Sequence, residues 1–154
     1  MNNNSLPEIV GDDENVARII FSPSYIYEGR VSPTAFRWEM LPSGDAEEYI
    51  SVLRGHENEL EQQSRTFRAR TKGDSRYGYA TLKTGKVREI SKGNTVLQRV
   101  TTDVVAYPSK RHPNHAGITA EINGNKVTAK SNISPEIMML QKKLAMLCST
   151  IKRF

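Results

Sequence analysis

Cysteine is nearly absent from this chain of 154 residues, with Cys148 alone, so no intramolecular disulfide can form and nothing requires an oxidising compartment. The longest apolar runs, such as Val104-Val105-Ala106-Tyr107, fall far short of the roughly 20 residues of a membrane helix. No membrane association is expected. The start, MNNNSLPEIVGDDEN, has neither the basic cap nor the apolar stretch of a secretory leader, and the expected location is the cytoplasm. Three histidines and one cysteine, scattered along the sequence, make no convincing ligand set, so neither a metal nor any other cofactor is expected. Also missing are a Gly-rich phosphate loop, a nucleophile elbow and a zinc-protease helix. The common signatures of a named reaction are therefore excluded.

The charge is unevenly spread. Residues 1–63 hold 12 acids and 4 bases, net -8, whereas residues 64–154 hold 5 acids and 18 bases, net +13. Such a split favours an anionic partner, nucleic acid or an acidic protein, on the C-terminal side, because clustered Lys and Arg displace counterions from a polyanion. Internal pairing of the acidic half against the basic one is the competing reading. Leu, Ile, Val and Phe make up 22% of the chain, which is enough for a lean core. One domain over 12–154 is expected, after a flexible polar tail over 1–11.

The pattern of apolar residues predicts an α+β domain with a mostly antiparallel sheet of five or six strands, short helices, and a C-terminal helix packed on the sheet. Asp12 or Asp13 can cap a short helix through Phe21, with Val16, Ile19 and Ile20 on one face. Residues 35–41 and 49–53 read as strands separated by the turn Pro42-Ser43-Gly44-Asp45. A polar helix over 57–68 follows. Residues 77–82 read as a strand in which Gly78 lets another backbone approach, and Thr84 can either cap a helix carrying Val87 and Ile90 or form a turn with Gly85 past which the strand continues. Val100 to Tyr107 is a strand ended by Pro108, and residues 116–122 and 126–130 form a hairpin around Asn123-Gly124-Asn125. In the last helix Ser134 is the cap, Pro135 opens the first turn, and Ile137, Leu140, Leu144, Leu147 and Ile151 recur at helical steps. That seam can dock on the chain's own sheet or, over residues 135–152, join two copies.

Two groups of residues carry candidate chemistry. His115 follows a basic loop that includes Lys110, Arg111 and His112, and a histidine before a strand can act as an acid or base near neutral pH. The run Arg65, Arg68, Arg70, Lys72 and Arg76, beside Tyr77 and Tyr79, combines phosphate-matching forks with rings able to stack on unpaired bases. With Lys110 and Arg111 it forms the candidate nucleic-acid surface. Cys148, among apolar helix positions, reads as a buried small hydrophobe.

Taken together, Val16-Ala17-Arg18, Ser22-Pro23, Gly29-Arg30, Ala35-Phe36, Tyr49 to Arg54, Gly78-Tyr79-Ala80 and His115-Ala116-Gly117-Ile118 give a pattern over residues 16–120. It resembles a group of small uncharacterised bacterial operon-encoded proteins. The resemblance implies an accessory protein, of defence or toxin-control type, with no activity to carry over. In that group a His-Pro pair often ends the first segment; Ser22-Pro23 stands there in this chain, a departure that weakens the case for a two-histidine catalytic site built from both ends. The shared polar positions are Arg30, Ser51, Arg54 and His115. A small hydrolytic enzyme would use His115 as acid or base, with Arg30 or Arg54 holding an anion. A non-enzymatic binding module would spread its contacts over many cations, and a protein-interaction subunit would act through the last helix.

Overall fold

The computed structural model describes residues 6–154. It is built on one antiparallel sheet whose central strand is the first in the chain. Strand β1 (Asn15–Ser22) is followed by the two-residue strands β2 (Ile26–Tyr27) and β3 (Arg30–Val31), which pair with each other in a separate ribbon. A 3-10 turn (Pro33–Phe36) leads to β4 (Ile50–Leu53), and a second 3-10 turn (Glu57–Glu59) runs into the short helix α1 (Leu60–Ser64). Then come β5 (Ser75–Lys83), α2 (Thr84–Arg88), β6 (Val100–Ala106), β7 (His115–Ile122), β8 (Asn125–Lys126), α3 (Pro135–Leu147) and β9 (Lys152–Arg153). The strands lie in the order β6-β7-β4-β1-β5-β9, with β8 folded back on β7. The fold is α+β with a mostly antiparallel sheet, as expected.

The expected helix over 12–21 is instead β1, and the reason is its place in the sheet. Val16, Ala17, Ile19, Ile20 and Phe21 are all buried because β4 and β5 flank the strand and both of its faces are covered. A strand buried on both faces loses its period of two, and Val16, Ile19 and Ile20 then mimic a helical stripe. The expected strand over 35–41 is also replaced. Ser32 caps the 3-10 turn by accepting from the Thr34 amide, Pro33 opens it, and Ala35 and Phe36 turn inward; of the remainder only Met40 makes a bridge, to Ala46. The polar helix over 57–68 is shortened to the 3-10 turn and α1. The tail expected over 1–11 lies outside the described residues for 1–5, while Val10 is buried in the core and the Pro7 carbonyl accepts from Arg54.

Several local expectations hold. Ser134 Oγ accepts from the Ile137 amide and Pro135 starts α3, whose Ile137, Leu140 and Leu144 are buried. Leu147 is the last helical residue, and Ile151, expected on the same helix, lies beyond its end in the segment leading to β9 because the helix stops at the Cys148 cap; both pack against the same core. Asn123 and Gly124, with φ of 53° and 81°, make the two-residue turn between β7 and β8. Gly78 allows β9 to pair closely with β5: a Cβ there would overlap the Lys152 carbonyl oxygen and lie 2.9 Å from Arg153 Cα. Helix α2 forms where expected, but Thr84 is its first residue and not its cap, and the buried Thr84 hydroxyl has no partner among the described residues. Among the described residues, no helix is long and apolar enough to cross a membrane.

Candidate functional site

Strands β4 and β7 are antiparallel neighbours, with Ser51 opposite Gly117 and Leu53 opposite His115. Alternation along each strand sends Ser51 and His115 to the same face. Their side chains meet there: Ser51 Oγ lies 3.0 Å from His115 Nε2. The other ring nitrogen, Nδ1, is 3.1 Å from the Tyr107 carbonyl at the end of β6. A carbonyl can only accept, so Nδ1 carries the hydrogen and, in the neutral ring, Nε2 presents its lone pair to the Ser51 hydroxyl. Burial holds the His115 pKa below its ordinary value of 6.5; the Tyr107 carbonyl offsets this in part, and His112 adds to it. The ring is therefore neutral at pH 7 and able to take a proton.

Aromatic packing fixes the relay. Tyr49 stacks on Tyr107 at 4.4 Å between centroids and meets His115 edge-on at 5.6 Å. Tyr49 fits because Gly117 has no side chain; a Cβ at Gly117 would lie 2.6 Å from the ring. A glycine inside a strand is the sequence signal for such an overlay. Neither tyrosine was among the site residues read from the sequence.

Beside the relay, β1 and β4 diverge. They share only the pair Ala17 and Leu53, and beyond it Arg18 bridges the gap. Arg18 Nε donates to the Ala35 carbonyl (2.8 Å), Nη1 to the Ser51 carbonyl (2.8 Å) and Nη2 to the Tyr25 hydroxyl (3.4 Å). The opening is a cleft of about 100 Å³ whose lining includes Arg18, Ser51, Phe67, Arg68 and Arg70. Among the described residues Arg18 and Arg68 have no carboxylate partner, whereas Arg70 is held by Glu47 at 2.8 Å. Arg18 entered the sequence reading only within a motif.

Two of the four expected catalytic residues are thus together, and two are elsewhere. Arg54 is 2% exposed and forks onto Glu14 at 2.6 and 2.8 Å while donating to Pro7 O at 2.8 Å. Its main chain is clasped by Asn114, whose Nδ2 donates to Arg54 O and to Gln63 Oε1. Arg54 is an internal brace: its charge is buried and already matched by the Glu14 carboxylate, so it is not offered to an anion. Arg30 is exposed on β3, opposite Tyr27 in the small ribbon, and among the described residues it makes no hydrogen bond to His115 or Ser51. The hydrolytic arrangement of His115 with Arg30 or Arg54 is replaced by His115 with Ser51, next to Arg18 and Arg68.

The cationic residues fall in two places. His112 stacks on Phe67 at 5.0 Å and its Nε2 lies 2.7 Å from Thr66 Oγ1, which docks the loop bearing the exposed Lys110 and Arg111 against the segment of Arg65 and Arg68. Arg65 pairs loosely with Glu61 at 3.9 Å. Lys72 and Arg76 are exposed and have no carboxylate partner among the described residues. At the β5–β9 edge Arg153 lies over Tyr77 at 4.6 Å, Lys152 over Tyr79 at 5.9 Å and Arg76 over the Phe154 ring at 5.8 Å. Pairing between the halves of the chain also occurs: Arg88 binds Asp12, Arg70 binds Glu47, Lys126 binds Glu48 and Lys152 binds Glu57. Both readings of the charge split therefore have a physical counterpart.

Among the described residues, no group of three or more His, Cys, Asp or Glu is placed to hold a metal. Comparison with protein-family models, curated proteins and solved structures finds no match.

Proposed function

We propose that this chain is a small accessory module that binds single-stranded nucleic acid along its β5–β9 edge. The observation that carries the reading is the group of Tyr77, Tyr79 and Phe154 rings interleaved with Arg76, Lys152 and Arg153. Rings of this kind stack on unpaired bases of any sequence, and the cations follow the backbone. Arg76 and Arg153 make no ion pair among the described residues, and neither do Arg68 and Lys72 on the adjoining segment. Lys152 and Arg153 are exposed, so they can swing off the tyrosine faces at little cost when a base arrives.

The test is fluorescence anisotropy with single-stranded and duplex probes. Four phosphate contacts imply a salt slope of about -2.8 for a single strand, or roughly a fifty-fold loss of affinity between 50 and 200 mM salt. Replacing Lys72, Arg76 and Arg153 together with Glu should abolish binding to all sequences alike, and the single strand should bind more tightly than the duplex. Absence of binding to either probe at 50 mM salt overturns the reading. An acidic protein as partner is the outcome favoured if nucleic acid fails while the same triple variant loses a polyglutamate interaction.

A further inference from the structure

The relay of Ser51, His115 and the Tyr107 carbonyl plays no part in binding at the sheet edge. A hydroxyl donating to a neutral imidazole, whose far nitrogen is oriented by an acceptor, is the arrangement that activates a serine. Ser51 also lines the cleft between β1 and β4, where its carbonyl is already held by Arg18. At about 100 Å³ the cleft is smaller than the 300 Å³ or more of pockets that enclose a whole small molecule, and it admits only the head of a ligand.

The lining gives that head its chemistry. A guanidinium has five N–H donors; among the described residues Arg18 uses three, on the Ala35 carbonyl, the Ser51 carbonyl and the Tyr25 hydroxyl, and two remain. Its charge faces only neutral acceptors, and Arg68 likewise lacks a carboxylate among the described residues. Arginine forks match the oxygens of a phosphoryl group and stabilise the charge that gathers on them during its transfer.

We propose that Ser51 is a nucleophile, with His115 as its base, toward a phosphate ester whose phosphoryl group enters the arginine-lined cleft between β1 and β4. As the Oγ–P bond forms, the P–O bond to the alcohol breaks; the Ser51 proton passes to His115 Nε2 and from there to the departing oxygen. Water then attacks phosphorus and gives a proton to His115, the Oγ–P bond breaks, and Ser51 recovers the proton. The sum is ester plus water giving alcohol plus phosphate. Arg18 and Arg68 hold the phosphoryl oxygens throughout.

A fluorophosphonate probe reports on the first half of this sequence without requiring a known substrate. The expected result is a phosphonylated Ser51, identified by peptide mass spectrometry, with fluoride lost. Ser51→Ala should remove the adduct, and His115→Gln should slow its formation by roughly 100-fold or more. Inorganic phosphate should slow labelling of the wild type, and less so in Arg68→Ala. If His115→Gln does not fold, the wild-type pH profile decides, because the labelling rate must fall once the medium is acid enough to protonate His115. Turnover of p-nitrophenyl phosphate or bis(p-nitrophenyl) phosphate should exceed that of p-nitrophenyl acetate. No adduct on Ser51 in folded protein, labelling indifferent to His115 and pH, or turnover of the acetate alone overturns the proposal. None of these outcomes depends on whether nucleic acid binds at the β5–β9 edge.

Discussion

Removing either partner of the Arg54–Glu14 pair should destabilise the protein, and the two losses should be unequal. The guanidinium is 2% exposed and the carboxylate 24%, so Glu14 can recruit water when Arg54 is gone, whereas Arg54 cannot when Glu14 is gone. Breaking a buried ion pair from one side typically costs about 3–5 kcal/mol, because the remaining charge is left desolvated. Glu14→Ala leaves Arg54 with one strong acceptor, Pro7 O, and should fall in the full range of about 3–5 kcal/mol. Arg54→Met keeps most of the apolar stem and leaves a partly hydrated carboxylate, so a smaller loss of about 2–3 kcal/mol is expected. The double variant should be more stable than Glu14→Ala alone, since no unpaired charge remains. Urea unfolding at pH 7 measures all three against wild type, and a double-mutant cycle gives the coupling. Losses under about 1 kcal/mol for both single variants, or simple additivity, would refute the assignment of Arg54 as an internal brace.

At Gly78, substitution by Ala places a methyl against the backbone of Lys152 and Arg153, which cannot yield as a flexible side chain would. A loss of about 1–3 kcal/mol is expected, together with faster hydrogen exchange at Phe154, whose amide donates to Tyr77 O; unchanged protection contradicts the close pairing of β9 with β5. Burial lowers the pKa values of both His112 and His115 from 6.5, so below that pH the unfolded chain binds more protons than the folded one. Stability should therefore be lower at pH 5.5 than at pH 7.5 by urea unfolding, with a weaker dependence in His115→Gln. A higher midpoint at pH 5.5 than at 7.5 would contradict this sign. Cys148, half-buried at the C-cap of α3 and not inside the helix, has its thiol pushed up to about 12 by packing against the core, so it should react slowly with Ellman's reagent at pH 8 until urea is added; reaction as fast in the native protein as in urea refutes that shielding.

Residues whose meaning is local were readable from the sequence. Ser134 and Pro135 start α3 through bonds within one turn, and Asn123-Gly124 closes the β7–β8 hairpin by its own backbone preference. Gly78 also announced a close neighbour, although β9, only two residues long, has no periodicity to reveal it. What escaped depends on distant partners. The identity of β1 is decided by β4 and β5, which occupy both of its sides. Ser51 and His115 were both singled out as polar positions, but 64 residues separate them, and only the register of β4 against β7 brings them into contact. Arg54 looked like a ligand for an anion because its partner Glu14 lies 40 residues away, in a segment read as a helix.

The central position of β1 has a consequence for the order of folding. Strand β1 forms no ladder with β2 or β3, the strands that follow it in sequence: its strand partners are β4 (residues 50–53) and β5 (residues 75–83). During synthesis the Val16–Phe21 run, almost wholly apolar, emerges from the ribosome well before either flank exists, and loop-closure entropy must be met before the first ladder forms. The β6–β7–β8 meander, by contrast, pairs locally as soon as it appears. Refolding of the full chain should thus begin at the meander and end with the insertion of β1. Until that insertion, the apolar run is the stretch that a holdase chaperone would bind and through which two unfinished chains would aggregate.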